Sequence, residues 1–269
     1  MKTLYLDGRG SLEVGLDGPA LRVRRPLRAD GRYPLPRVGR VVVIGRVKWK
    51  PNALEACLRF GRPVMILDNQ GRFVRIKFEK ANQQYGLARH MGELLGVPRF
   101  QQRYRAWYLE VERAEMQRAK TLMMLNCLTS SPCKVWAKIC HGQSRRWGMR
   151  TGPYYRYLLG IASAQVASFF VSVGMPRNPD VWGKEEFRIF SHFLRLERWR
   201  LAVLLEELMR AKRTPPTRHE LTAAFEALAE ERNRRLGDWC RMILLAMAGL
   251  QKRGAPSHLK EARLEKSLS

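Results

Sequence analysis

The sequence predicts an α+β fold: a small β-sandwich-like domain over residues 1–80, an all-α helical domain over 81–250, and a basic flexible tail over 251–269. Three observations predict it. Residues 1–80 alternate apolar and polar side chains in short runs broken by Asp-Gly and Gly turns. From Ala81 to Leu250 the apolar spacing lengthens to that of a helix. Beyond Gly254 and Pro256 the chain is polar and basic, with no apolar period.

The strands come first. "TLYLDGRG", "SLEVGLDG" and "ALRVRR" are short alternating runs, and "RVGRVVVIGRV" is a β-branched run with Gly45 behind it. Pro51 then opens a short helix carrying Leu54, Cys57 and Leu58 at helical spacing, and Gly61 stops it. "PVMILD" and "RFVRIKF" are two strands around Asn69-Gln70-Gly71. In the helical half, Tyr104, Trp107, Tyr108, Val111, Ala114 and Leu122 share one face of a helix. "YYRYLLGIASAQVASFFVSVG" is apolar nearly all round, which predicts the central buried helix of that domain. "EEFRIFSHFLRLERWRLAVLLEELMRAK" is a long amphipathic pattern, and Thr217 with Glu220 forms a capping box behind two prolines.

Charge bounds the partners. The 269 residues hold 50 Lys+Arg against 24 Asp+Glu, a formal net charge of +26. With 45% apolar residues the chain builds a core, so the charge belongs to a folded body. Residues 1–80 carry 18 basic and 7 acidic residues and the remainder 32 and 17, so neither half is neutral. Such a surface calls for an anionic partner, and nucleic acid leads because phosphate neutralisation releases counterions. No uninterrupted apolar run is long enough to span a bilayer, and "MKTLYLDGRGS" lacks a signal peptide's apolar region, so a cytoplasmic protein with no membrane partner is expected. The cysteines are Cys57, Cys127, Cys133, Cys140 and Cys240; an odd number in a reducing compartment predicts buried free thiols. The spacing of Cys127, Cys133, Cys140 and His141 fits neither a zinc ribbon nor a finger.

Residues 134–157, "KVWAKICHGQSRRWGMRTGPYYRY", are dense in cations and hold no acid. Lys134, Lys138, Arg145, Arg146, Arg150 and Arg156 alternate there with Trp136, Trp147, Tyr154, Tyr155 and Tyr157. Cations grip phosphates, and aromatic faces either stack on splayed bases or fill the core. A second cluster comprises Arg188, Arg195, Arg198, Arg200, Arg210, Lys212 and Arg213, but acids are interspersed and Glu206 stands at (i, i+4) to Arg210. A salt-bridged helix surface is the stronger reading of that segment. No Walker loop, dinucleotide fingerprint, HExxH or nucleophile elbow is present.

The order and spacing of "LYLDGRGSLEVGLDGPALRVRR", Val41-Val42-Val43-Ile44-Gly45, Gly61-Arg62-Pro63-Val64 and Asp68-Asn69-Gln70-Gly71-Arg72 carry a resemblance. The first third of the chain resembles the N-terminal β-domain of the CRISPR adaptation integrase family, metal-dependent endonuclease/integrases that insert spacers. The resemblance implies a β-domain followed by a helical domain, with dimerisation through the β-domain. It also implies a helix of the form Leu-Leu-Gly-Ile-Glu-Gly-Ala-Ala carrying a metal-binding glutamate. Leu158-Leu159-Gly160-Ile161-Ala162-Ser163-Ala164-Gln165 fits that frame with Ala162 at the glutamate's place. The family's other ligands are a histidine, faintly echoed by Phe190-Ser191-His192, and an acid about a dozen residues on, near Leu204 or Glu206. A hard divalent cation needs oxygen ligands, which a methyl group cannot supply.

The reading is a catalytically inactive relative with no cofactor. It binds DNA, duplex or branched, as a homodimer, with an accessory role in mobile-element or DNA-transfer processes; RNA is the alternative nucleic acid. Its expected nucleic-acid-binding residues are Lys134, Lys138, Arg145, Arg146, Trp147, Arg150, Arg156, Arg188, Arg195, Arg210, Lys212 and Arg213. Its degenerate catalytic positions are Ala162, His192 and Glu206. One rival is an active Mg- or Mn-dependent nuclease or integrase with a site rebuilt from His192 and Glu206 or Glu207. The other is an assembly subunit whose positive face meets an acidic protein.

Overall fold

A computed structural model describes residues 2–8, 10–78, 98–125, 131–173, 189–212 and 214–254. The architecture is α+β, strands first and helices after, as the sequence predicts. Two compact units form: Met1–Asn82 with Arg150–Ser168, and Gln83–Met149 with Phe169–Ser269.

The first unit contains two four-stranded sheets. β1 (Lys2–Gly8), β5 (Val38–Gly45), β7 (Val64–Leu67) and β8 (Phe73–Lys77) form one, in the order β1-β5-β7-β8. β2 (Glu13–Asp17), β3 (Ala20–Arg24), β4 (Gly31–Pro34) and β6 (Lys48–Trp49) form the other, in the order β4-β3-β2-β6. Alternate residues Leu4, Leu6, Val41, Val43 and Val64 of the first sheet share a core with Val14, Leu21 and Val23 of the second. Helix α1 (Pro51–Arg59) adds Ala53, Ala56 and Cys57 to that core and ends before Gly61, whose φ of +65° suits glycine. The opposite face of the first sheet, with Val42, Ile44, Met65 and Leu67, is buried as well. That is why β5 is apolar at four successive positions instead of alternating.

Part of the cover is helix α4 (Gly152–Ser172). The sequence predicts this helix at the centre of the helical domain; its Arg150–Ser168 portion belongs instead to the unit that holds the strands. The physical reason is a close approach between two glycines. A Cβ on Gly160 would lie 1.5 Å from the Gly71 carbonyl oxygen, and a Cβ on Gly71, at φ +86°, would lie 3.1 Å from Tyr157 Cα. The turn that carries Gly71 is fixed by Asp68, whose Oδ1 accepts from the Gln70 and Arg72 amides, both at 2.8 Å. Those two amide bonds and the Arg72 guanidinium hold the Asp68 carboxyl below the usual carboxylate range. Along α4, Leu158 and all residues from Gly160 to Ala167 are buried, so a charge at any of them would lack water.

The second unit is helical among the described residues. It contains α2 (Pro98–Leu122), α3 (Pro132–Trp147), the last residues of α4, α5 (Ile189–Lys212), α6 (Arg218–Ala227) and α7 (Ala229–Gly254). Phe193 of α5 meets Phe170 and Trp239 edge to face, with centroids at 5.1 and 5.3 Å. Proline at the first helical position opens α3, and Gly148 in the left-handed region closes it. Thr217 and Glu220 form the expected reciprocal capping box at the start of α6. No helix among the described residues is long and apolar enough to cross a membrane.

Candidate nucleic-acid interface

Helix α3 has two unlike faces. Val135, Ile139 and Gln143 recur every four residues and are buried. Lys134, Lys138, His141 and Arg145 follow the spacing i, i+4, i+7, i+11 and are all exposed. At 3.6 residues per turn they fall within about 60° of one another, a single stripe of three cations and a histidine. The helix contains no acid, and Lys134, Lys138 and Arg145 pair with none among the described residues. His141 is the member that sequence reasoning misses in this role, because its neighbouring cysteines direct attention to zinc. The i, i+4, i+7 spacing is the signal that finds it.

The rest of the helix end turns inward. Glu206 of α5 is 1% exposed. It accepts from Gln143 Nε2 at 3.2 Å, from the Trp147 indole N–H at 3.5 Å, from Arg210 Nε at 3.0 Å, and from Arg146. Desolvation pushes its carboxyl up, but Gln143, the Arg146 charge, Arg210 and Trp147 together bring it below the ordinary glutamate value. Arg146 and Trp147, expected at the interface, are therefore engaged in holding α3 against α5. Tyr155 and Tyr157 are buried and fill the core. Arg150 and Arg156 are exposed in the first unit, where Arg156 donates to Gln70 Oε1 at 2.9 Å.

The cations of α5 are all paired. Arg195 and Arg198 reach the buried Glu112 at 3.1 and 3.4 Å. Arg200 binds Glu115 through two 2.8 Å contacts and Glu231 at 3.3 Å. Arg210 pairs with Glu206, and Lys212 with Glu220. The salt bridges the sequence predicts for this segment are present, but the carboxylates of Glu197 and Glu206 are buried instead of solvated. Glu197 is met by Arg235 at 3.1 Å and Arg232 at 3.5 Å, both mostly buried as well. Arg188 and Arg213 lie outside the described residues, as does Cys127.

The degenerate catalytic positions can be placed individually. Ala162 is fully buried in α4. His192 stacks on the Tyr108 ring at 3.9 Å between centroids, and its Nδ1 and the Tyr104 hydroxyl share a 2.8 Å hydrogen bond. Burial holds both tyrosine phenols well above their usual value, so they act as neutral hydroxyls. His192 and Glu206 stand fourteen residues apart on one helix, which is about 21 Å along its axis. They cannot ligate one cation together, and no group of three or more His, Cys, Asp and Glu among the described residues could hold a metal ion. Burial raises the thiols of Cys57 and Cys240 to about 11 and about 12, leaving them inert apolar packing.

Comparison with known proteins follows the same division. Residues 4–94 match the model of the family described as CRISPR associated protein Cas1. No curated protein sequence matches the chain. A Cas1 protein from Thermotoga maritima superposes with a TM-score of 0.58 at 12% identity, over 94% of this chain and 95% of that one. A casposase bound to an integration product gives 0.62 at 8% identity, over 100% and 98%. A chain of a Cas6-RT-Cas1–Cas2 complex gives 0.60 at 14% identity, over 96% of this chain and 36% of that one. At these identities the likeness is one of fold, and it spans both units.

Proposed function

We propose, from the premise that the chain matches the CRISPR adaptation integrase family at its N-terminus and carries that family's fold, that it is a catalytically inactive, DNA-binding relative. It acts in the cytoplasm as a homodimer, an accessory factor in mobile-element or DNA-transfer processes. The observation that carries the binding half is the α3 stripe, where Lys134, Lys138 and Arg145 are exposed together and unpaired by acids. Unpaired cations on one face can take phosphates without first giving up an internal salt bridge. Dimerisation through the β-rich unit rests on the family resemblance.

Support for lost chemistry comes from the three degenerate positions. Phosphodiester chemistry of this family uses a divalent cation to activate the nucleophile and stabilise the leaving oxygen. Ala162 offers a buried methyl group, His192 is engaged with two tyrosines, and Glu206 is engaged with Gln143, Arg146 and Arg210. The separation of about 21 Å on α5 argues against the rebuilt site of His192 with Glu206 or Glu207. Incubation with branched DNA and Mn²⁺ tests the proposal. A mobility shift with intact strands is expected; strand cleavage that His192→Ala abolishes would overturn it.

A further inference from the structure

The first unit contains a second cationic surface, which owes nothing to α3. β8 is the edge of one sheet and β6 the edge of the other. A groove of about 850 Å³ runs along the seam that these edges leave open. The chain crosses between sheets at Gly45, in the left-handed region at φ +79°, and passes directly over Gly8. A Cβ on Gly8 would lie 2.2 Å from the Arg46 carbonyl oxygen, so the crossing needs glycine there. The crossing delivers Arg46 and Lys48 to one wall. Arg75 and Lys77 of β8 register with Ile66 and Val64, which puts them on the same sheet face as those residues and on the facing wall.

The lining contains four cations and no acid. Arg46, Lys48 and Arg75 are exposed and Lys77 is half-buried, and none pairs with an acid among the described residues. Glu13, the register partner of Lys48, turns its carboxylate to Lys50 at 3.5 Å instead. Trp49 is half-buried: it packs on the shared core and also lines the groove.

We infer that this groove binds a single nucleic-acid strand, its cations taking phosphates and Trp49 stacking on a base. Cations tracking a backbone beside an aromatic platform are the recurrent solution for single strands. An acidic extended peptide matches the charge and has the five-residue β8 edge to pair with, but it brings no base to Trp49, whereas a nucleic-acid strand uses the cations and the aromatic together. The inference shares with the function proposed above only the premise of a nucleic-acid ligand.

The test is fluorescence anisotropy with a labelled oligothymidylate and a labelled duplex, using the full chain and two variants. Arg75→Glu/Lys77→Glu is expected to weaken oligothymidylate binding by about tenfold and to make its salt slope shallower by about 1.4. Lys134→Glu/Lys138→Glu is expected to weaken the duplex more than oligothymidylate, the reverse of the order seen for Arg75→Glu/Lys77→Glu. A thermal unfolding curve like that of the wild type establishes that each variant is folded, and exposed Arg25→Glu/Arg28→Glu controls for net charge. Unchanged oligothymidylate affinity in a folded Arg75→Glu/Lys77→Glu protein overturns the inference. So does duplex binding by the wild type with no oligothymidylate binding, which leaves the α3 reading standing. Poly-glutamate bound in the groove in place of oligothymidylate also overturns it, in favour of a protein partner.

Discussion

Helices α3 and α5 are both rich in cations and use them in opposite ways. All five Lys and Arg residues of α5 are paired with carboxylates: Glu112, Glu115, Glu206, Glu220 and Glu231. On α3, Lys134, Lys138 and Arg145 pair with no acid among the described residues, and only Arg146 is drawn inward to Glu206. The lesson is that counting cations does not locate a phosphate surface; accounting for their partners does. A buried guanidinium already satisfied by a carboxylate would have to break that pair to serve a ligand, and breaking buried pairs is expensive.

The contrast can be broken first from the α5 side. Glu197→Ala leaves Arg232, 2% exposed, without its carboxylate. A loss of about 3–5 kcal/mol is expected in chemical denaturation, because an uncompensated buried charge remains. A loss near zero would show that the buried pairs between Glu197 of α5 and the α7 arginines contribute nothing to the fold.

Acid probes the pairs of α5's own cations more gently. Glu206 and Glu220 both titrate below the ordinary glutamate value, and Lys212 with the Thr217 amide holds Glu220 at about 2. A carboxyl depressed in the folded state contributes stability that is present above its unfolded pKa and is lost as pH falls through the folded value. The unfolding midpoint should therefore be flat above about pH 5 and decline below the ordinary glutamate pKa. A midpoint that rises on acidification would contradict the assigned pairing.

Giving α3 an acid of its own sharpens the contrast. Ala137 is exposed, three residues after Lys134 and four before His141. Ala137→Glu should weaken duplex affinity several-fold and reduce the salt slope by about 1, with little change in stability. The smallest effect is expected at Lys212→Ala. Its pair with Glu220 is exposed, so the unfolding midpoint should barely move and duplex affinity should hold within about twofold.

Much of this was legible in the sequence because local rules decided it. The Asn69-Gln70-Gly71 hairpin, the Gly61 stop and the Thr217 capping box each follow from residues a few positions apart. The acid-free stretch on α3 was legible too, since excluding acids is a compositional signal. The placement of α4 was not. It depends on Gly160 meeting Gly71, a contact between residues distant in sequence that looks like ordinary small-residue helix in isolation. The burial of Glu112, Glu197 and Glu206 was equally hidden. A charged residue on an amphipathic helix reads as solvated until its partner on another helix is known. Trp147 shows the same limit, since its indole faces Glu206 of a helix some sixty residues away.

The central claim of the proposal is that duplex phosphates are taken by the unpaired face of α3. The most direct measurement is the dependence of duplex affinity on salt, from about 50 to 200 mM, for the wild type and for Lys134→Glu/Lys138→Glu/Arg145→Glu. A slope shallower by about 2.7 in a variant that unfolds like the wild type is predicted, each of the three cations accounting for about 0.9 through the phosphate it neutralises. Identical slopes in the two proteins would contradict it.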